Sequence, residues 1–378
     1  MTDAPFVPGL RLCRAFYLEV VRPIIDDAFP GLQHAAAILG TGSEVLGLDD
    51  ARSTDHHWGP RAMLFLDAED LRQLGDRIDE TLAMRLPPAF MGYSTNFAAP
   101  IERGTRLLEP VAGPPIAHRV ELLEPTAFFD AMLGFDPRRR VTTADWLFTP
   151  SQRLLEVTSG EVFHDALGAL TSARAALAGY PRDVWLYAIA QQWQRIAEEE
   201  PFVGRTQERS DEIGVRIQTA RLVRDVMRLC FLLERRYAPY AKWLGTAFAR
   251  LACAPSLSAL LERATATDDN AEREQALCDA YETVARMHNA LGITPPVEPT
   301  VRLFYSRPFR VLRAERFADA AIAAIDPAAL RKLRQMHVPG TIDQWADNTA
   351  LLSDARHWRA LRAAFARRGR EHDTGPSA

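Results

Sequence analysis

The sequence predicts an α+β protein: an N-terminal α/β unit with a small mixed sheet, about residues 1–150, followed by a mainly helical domain over 151–368. Three observations carry this. Two short apolar runs, Ala35–Leu39 and Arg61–Leu66, are bounded by turn-forming residues, as buried strands are. Ala117–Leu122 alternates apolar and polar side chains, as a third strand would. Beyond about residue 150, successive segments repeat apolar residues at helical spacing, and little there resembles a strand.

Taken in order, residues 11–29 form one interrupted helix, bent or restarted at Pro23, whose ring removes a backbone donor. The run Ala35–Leu39 ends in Gly40-Thr41-Gly42-Ser43, a strand entering a tight turn. After the second strand, Asp67-Ala68-Glu69-Asp70 opens a helix with acids in its first turn, where they oppose the helix dipole favourably. That helix ends near Leu86, before Pro87-Pro88. Residues 87–115 are rich in Pro, Gly and aromatics and read as irregular chain with an edge hairpin; Phe128–Leu133 is a short helix ending at Gly134. Helical periodicity then covers 160–179, 181–200, 210–236, 239–251, 256–264 and 270–291. A short extended arm is expected near 300–313, helix again over 315–368, and a disordered polar tail at 369–378.

Composition excludes several classes. Hydrophobic residues make 47% and charged residues 25% of the 378, an ordinary globular balance. The formal net charge of −4 gives no global basic surface, so nucleic acid is not an expected partner. No apolar run approaches the roughly 18 residues that span a bilayer, and the N-terminus lacks the pattern of a signal peptide. Cys13, Cys230, Cys253 and Cys278 have neither metal-ligand nor disulfide-like spacing and read as free thiols. A soluble cytoplasmic protein is expected.

The chemistry is concentrated in Gly42-Ser43, eleven further residues, and then Asp55-His56-His57-Trp58-Gly59-Pro60-Arg61. A small-residue turn lets backbone N–H groups approach a phosphate closely. An acid opening the next strand can hold the divalent cation that bridges phosphate to the reacting group. Nucleotidyl transfer usually has two acids one residue apart, so that both point to one strand face. Here Asp55 supplies the first, and His57 stands where the second is expected. Glu121, on the third strand, is the remaining carboxylate. Histidine suits Mn²⁺ or Zn²⁺ better than Mg²⁺. Three arrangements stay open: His57 ligates another metal, one metal suffices with Asp55 and Glu121, or the site binds nucleotide without turnover. Arg61 is either a phosphate contact or a partner of Asp67 or Glu69.

Gly42-Ser43, the spacing to Asp55 and the two-domain layout resemble the DNA-polymerase-β-type nucleotidyltransferase superfamily, which includes aminoglycoside and lincosamide nucleotidyltransferases. Gly42-Ser43-Glu44-Val45-Leu46-Gly47, Asp55 to Arg61, Tyr237-Ala238-Pro239-Tyr240-Ala241-Lys242-Trp243 and Gly340-Thr341-Ile342-Asp343-Gln344 together resemble one bacterial family, domain of unknown function 4037, which is treated as nucleotidyltransferase-like. The resemblance implies metal-dependent transfer of a nucleoside monophosphate, AMP by analogy, from a triphosphate to an unidentified small or macromolecular acceptor. It implies Mg²⁺ or Mn²⁺ on Asp55, His57 and Glu121, with Glu121 also accepting the acceptor's proton. It implies phosphate held by Gly42, Ser43, Arg61 and Arg228, and by Lys242, the counterpart of a lysine that relatives use on nucleotide phosphates. The alternative is a nucleotide- or partner-binding protein that keeps the fold without turnover.

In the helical domain Arg221, Arg224, Arg228 and Arg235 form one basic stripe. It is either a cleft wall for an anionic ligand or a solvated face, with Asp225 and Glu234 neutralising part of it. His118, Asp343, Gln344, Tyr305 and Arg307 are weaker candidates; Asp343 and Gln344 read as a helix N-cap region and His118 as solvent-facing.

Overall fold

A computed structural model describes residues 6–55, 57–101 and 105–373, with side chains described to residue 365. The expected N-terminal helix is continuous but changes register. Helix α1 (Gly9–Phe16) passes through a π-helical turn (Tyr17–Val21) into α2 (Arg22–Ala28), and Pro23 occupies the first turn of α2. A proline cannot donate to the turn before it, and a π-turn absorbs the mismatch where the proline alone would kink the chain.

The strands β1 (Ala35–Ile38) and β2 (Ala62–Phe65) are buried at every position. Helix α3 (Ala68–Arg85) starts at Asp67, whose carboxylate accepts the Asp70 N–H at 2.8 Å. The hairpin β3 (Ala89–Phe90) and β4 (Tyr93–Ser94) forms a two-stranded sheet of its own. Then come β5 (Val120–Leu123) and α4 (Pro125–Leu133), which ends at left-handed Gly134. Phe16, Val21 and Ile25 pack with Ile78 and Leu82 over Ala36, Leu64 and Val120, covering one face of the sheet.

Next in the chain are α5 (Thr143–Phe148), α6 (Ser151–Thr158), β6 (Glu161–Asp165) and α7 (Ala169–Ala176). Strand β6 corrects the helical reading of 160–179. Central strand β1 needs a partner on both edges for its buried backbone groups. It pairs antiparallel with β2 on one side and with β6 on the other, while β5 joins β2 in parallel. The sheet order is β5-β2-β1-β6. Gly160 admits this return: its φ is +67°, and a Cβ there would lie 2.0 Å from the Ile38 carbonyl oxygen.

The remainder is helical: α8 (Arg182–Gln207), α9 (Glu212–Leu233), α10 (Ala241–Phe248), α11 (Ala254–Ala266) and α12 (Asn270–Ala290). The arm is a short hairpin, β7 (Arg302–Leu303) and β8 (Arg310–Val311). It is followed by α13 (Glu315–Ala323), α14 (Pro327–Arg334), α15 (Ile342–Trp345), α16 (Thr349–Ser353) and α17 (Ala355–Asp373). The backbone of the expected tail is therefore helical to Asp373, and 374–378 lie outside the described residues. Trp193 stacks on Phe317 at 4.7 Å and donates to His288 Nδ1 at 3.1 Å; burial pushes His288 down to about 4, so its ring stays neutral. The Glu200 carboxylate receives the N–H groups of Leu312 (2.6 Å) and Ala314 (3.0 Å), anchoring the end of β8 and the start of α13.

The chain divides into two compact units, residues up to Val141 with Arg153–Ala178, and Thr142–Gln152 with the chain from Gly179 onward. No helix among the described residues is long and apolar enough to cross a membrane.

Two predictions follow from these placements. Gly160→Ala is expected to lower stability by about 2 kcal/mol or more, through left-handed strain and the Ile38 contact, seen as a reduced urea midpoint. Burial raises Glu200 to about 7 from its ordinary 4.5. The folded chain thus holds this proton more tightly than the unfolded one, so the linked stability is complete below about pH 4.5 and is lost as pH rises toward 7. Glu200→Gln should flatten that part of a stability–pH profile; an unchanged slope would assign it to other groups.

Candidate functional site

The turn after β1 is built by glycines. Gly40 and Gly42 have φ of +83° and +144°, and the turn closes through Gly47 N–H to Glu44 O (3.0 Å) and Leu48 N–H to Ser43 O (2.8 Å). The group pressed against Gly42 belongs to the protein itself. A Cβ on Gly42 would sit 2.6 Å from Glu44 Oε2 and 2.7 Å from Oε1. Glu44 is buried and ion-paired with Arg61, itself 7% exposed. Burial works against the Arg61 charge, and the adjacent Glu44 carboxylate more than restores it, holding Arg61 above its ordinary value. Arg61 therefore pairs with neither Asp67 nor Glu69; Asp67 caps α3 and Glu69 pairs with Arg72.

Asp55 and His57 do not open a strand. Asp55 is exposed at the end of a 3-10 turn (Ala51–Asp55), and β2 begins at Ala62. The intervening residues explain the delay. The Trp58 indole N–H donates to Asp49 Oδ2 at 3.2 Å, and its ring meets Tyr93 edge-on at 4.9 Å. Gly59 has φ +144° with Leu108 packed close, and Pro60 offers no ladder donor. His57 itself has φ +55°, so its side chain does not share a strand face with Asp55. His56 lies outside the described residues.

The structure brings His57 and Glu121 together through a residue the motif does not contain. Arg119 Nη1 lies 3.0 Å from His57 Nδ1, and Nη2 donates to Glu121 Oε1 at 3.1 Å. Its guanidinium also lies over the Phe97 ring at 5.7 Å. Arginine remains protonated and can only donate, so His57 Nδ1 is the acceptor and its lone pair is engaged. A guanidinium thus stands between two of the three expected metal ligands. Among the described residues no group of three or more His, Cys, Asp or Glu side chains could hold a metal ion. As arranged, Asp55, His57 and Glu121 do not fit Mg²⁺ or Mn²⁺, because a fixed cation already occupies the position between His57 and Glu121.

In the second unit the basic stripe is largely spoken for. Arg221 donates to Glu199 at 2.9 Å, Arg224 to Asp347 at 2.6 Å, and Arg228 to the Asp343 carbonyl at 2.9 Å. Burial pushes Arg228 below its ordinary value. Asp225 pairs with Arg195 at 3.1 Å, and Glu234 receives the N–H groups of Ala252 and Cys253 where α11 approaches. Lys242 is exposed in the first turn of α10, its Nζ over the Trp243 ring at 4.7 Å. Two of the quoted motifs converge on the start of α6: Ser151 Oγ–H donates to Ala238 O (2.8 Å), Tyr240 N–H to Gln152 Oε1 (2.9 Å), and Ser151 N–H to Asp343 Oδ2 (2.8 Å). Asp343 thereby caps α6, whereas Thr341 and Gln344 form the capping box of α15. His118 is buried against α3 rather than solvent-facing, with Nε2 3.2 Å from the Asp79 carbonyl. Tyr305 is exposed at the β7–β8 turn, and Arg307 pairs with Glu208.

Residues 146–244 match the family model Domain of unknown function (DUF4037). The DUF4037 segment carries Arg228 and Lys242; Gly42, Ser43, Asp55, His57, Arg61 and Glu121 lie N-terminal to it. Among solved structures, a nucleotidyltransferase-like protein from Exiguobacterium sibiricum 255-15 is similar at 13% identity, over 72% of this chain and 76% of that one, with a TM-score of 0.29. A likeness this loose assigns neither fold nor activity. No curated protein matches the sequence significantly.

Glu44 and Arg119 are the site residues that motif reading missed. Arg119 had a signal, since it lies two residues before Glu121 and so shares its side of the chain. Glu44→Ala should cost about 3–5 kcal/mol by leaving Arg61 buried and unpaired. In a double-mutant cycle by urea denaturation, Glu44→Ala/Arg61→Ala should cost clearly less than the sum of the single changes; additivity would mean that the two groups are not coupled.

Proposed function

We propose that this chain is a nucleotide-binding protein of nucleotidyltransferase-like type, whose N-terminal unit recognises a nucleoside triphosphate through Arg119 rather than through a bridging metal. The carrying observation is the Arg119 guanidinium held between His57 and Glu121. A planar guanidinium matches the geometry of phosphate oxygens. A phosphate would compete with the half-exposed Glu121 carboxylate for Arg119 Nη2. The resemblance of the Gly42-Ser43 and Asp55 to Arg61 motifs to nucleotidyltransferases supports the choice of a nucleotide as ligand.

AMP transfer to an acceptor hydroxyl or phosphate is the second reading. The observation in its favour is that Glu121 keeps 41% of its side chain exposed, as a base meeting an acceptor would need.

The experiment is incubation with labelled ATP, GTP, CTP or UTP in Mg²⁺, Mn²⁺ or a chelator, following bound nucleotide and released pyrophosphate with a mixed acceptor pool. Binding that persists in chelator without pyrophosphate is expected. Arg119→Ala should weaken it about tenfold or more, the loss of a charge-assisted hydrogen bond. Pyrophosphate that is released only with metal and vanishes in a normally melting Asp55→Ala variant would overturn this in favour of transfer.

A further inference from the structure

Two of the four free cysteines meet in the helical unit. Cys230 stands in the last turn of α9 and Cys253 is the N-cap residue of α11, and their thiols hydrogen-bond to each other. Glu234 fixes that meeting. Its N–H donates to the Cys230 carbonyl at 2.9 Å, one helical turn back. Its carboxylate receives the Cys253 N–H at 2.8 Å and the Ala252 N–H at 2.9 Å. Residues one turn apart share a helix face, so Cys253 is held beside Cys230 by its backbone as well as by its sulfur. The other two cysteines have different neighbours. The Cys13 thiol donates to the Gly59 carbonyl at 3.4 Å, and Cys278 lies among the charges of Arg310, Glu274, Asp279 and Glu282.

The two sulfurs are not equivalent. Cys230 is fully buried, whereas Cys253 is 8% exposed and lies in a turn whose residues Ala252, Pro255 and Ser256 are exposed. A small solute arriving from solvent therefore reaches Cys253 first. The hydrogen bond to Cys253, then burial, then the neighbouring Glu234 carboxylate push Cys230 well above its ordinary value. Cys230 thus keeps its proton and donates it, and the Cys253 sulfur is the acceptor.

We propose that Cys230 and Cys253 are a redox modification site, forming a reversible disulfide when the protein meets hydrogen peroxide. The Cys253 thiolate, its proton released to solvent, attacks one peroxide oxygen. An S–O bond forms, the O–O bond breaks, and the departing hydroxide takes a proton from solvent to become water. The Cys230 sulfur then attacks the sulfur of the Cys253 sulfenic acid. The S–S bond forms, the S–O bond breaks, and the departing hydroxide leaves as water with the Cys230 proton. Each sulfur is oxidised by one electron, and the peroxide is reduced to water. The ring closed in this way contains α10 and the segment Tyr237 to Trp243, so oxidation restrains the part of the chain that carries Lys242. The site does not rest on nucleotide binding by the first unit.

The test is a peptide map of the native full chain after hydrogen peroxide, with remaining thiols alkylated on unfolding and digestion without reductant. A cross-linked pair of peptides carrying Cys230 and Cys253 is expected, with Cys13 and Cys278 still alkylated. Dithiothreitol should restore every thiol. The oxidised chain should melt several degrees above the reduced one. In Cys230→Ala that rise should vanish, and dimedone should capture Cys253 as its sulfenic acid; no capture there would overturn Cys253 as the attacking sulfur. The map of the parent chain is decisive even where Cys230→Ala folds poorly. Full alkylation of every cysteine after peroxide, a cross-link through Cys13 or Cys278, or sulfinic acid at Cys253 in place of the disulfide would each overturn the proposal. So would an oxidised chain that melts below the reduced one, because the bond would then strain the two helices apart. None of these outcomes bears on Arg119.

Discussion

The buried ion pair between Arg61 and Glu44 is the constraint on which the N-terminal unit turns. It joins a residue within the turn after β1 to the residue that precedes β2, and so ties the connection between two central strands to the strands themselves. Removing both charges from water costs several kcal/mol per ion, recovered only when each finds its partner. The pair therefore selects geometry more than it adds stability: any turn that failed to bring Glu44 under Gly42 would leave Arg61 charged and alone. Cys13 packs beside it as an inert thiol, pushed up to about 11 by burial.

The same logic changes what the glycine turn means. Gly42 allows a close approach, as a phosphate-holding turn requires, but the approaching anion is Glu44. Arg119, immediately before β5, repeats the pattern: a cation takes the place between His57 and Glu121. Charges that in a metal-dependent site would be balanced by a dissociable ion are here balanced by side chains of the chain. A guanidinium cannot leave and cannot act as a Lewis acid, so its contribution is confined to orientation and charge. That physical difference is the ground on which binding is proposed ahead of transfer.

In the helical unit, polar groups are used as fasteners. Gln344 donates to the Ala188 carbonyl at 2.8 Å and to Gln192 at 3.1 Å, Arg195 reaches the Gln344 carbonyl at 2.6 Å, and Asp343 caps α6. Most of the residues whose charge suggests a ligand therefore hold helices together. Arg235 follows the same pattern, donating to the Tyr180 carbonyl at 2.9 Å and lying over the Trp185 ring at 4.3 Å.

Local features were legible in the sequence. The Asp67 cap, the Gly134 stop, the Pro87-Pro88 break, the short strands and the long helices each depend on neighbours within a few residues, which is the range over which propensity and periodicity act. Distant pairings were not. Residues 161–165 became a strand because β1 had an unfilled edge, a requirement set more than a hundred residues away. Arg61 turned to Glu44, and Arg119 came to rest on His57, sixty-two residues distant, because folding brought them together in a setting where an unpaired charge is expensive. The sequence by itself determined an α+β chain and the inventory of groups able to meet a phosphate. Only the tertiary structure decided which of those groups remain available, since charge pairing depends on separation in space and not along the chain.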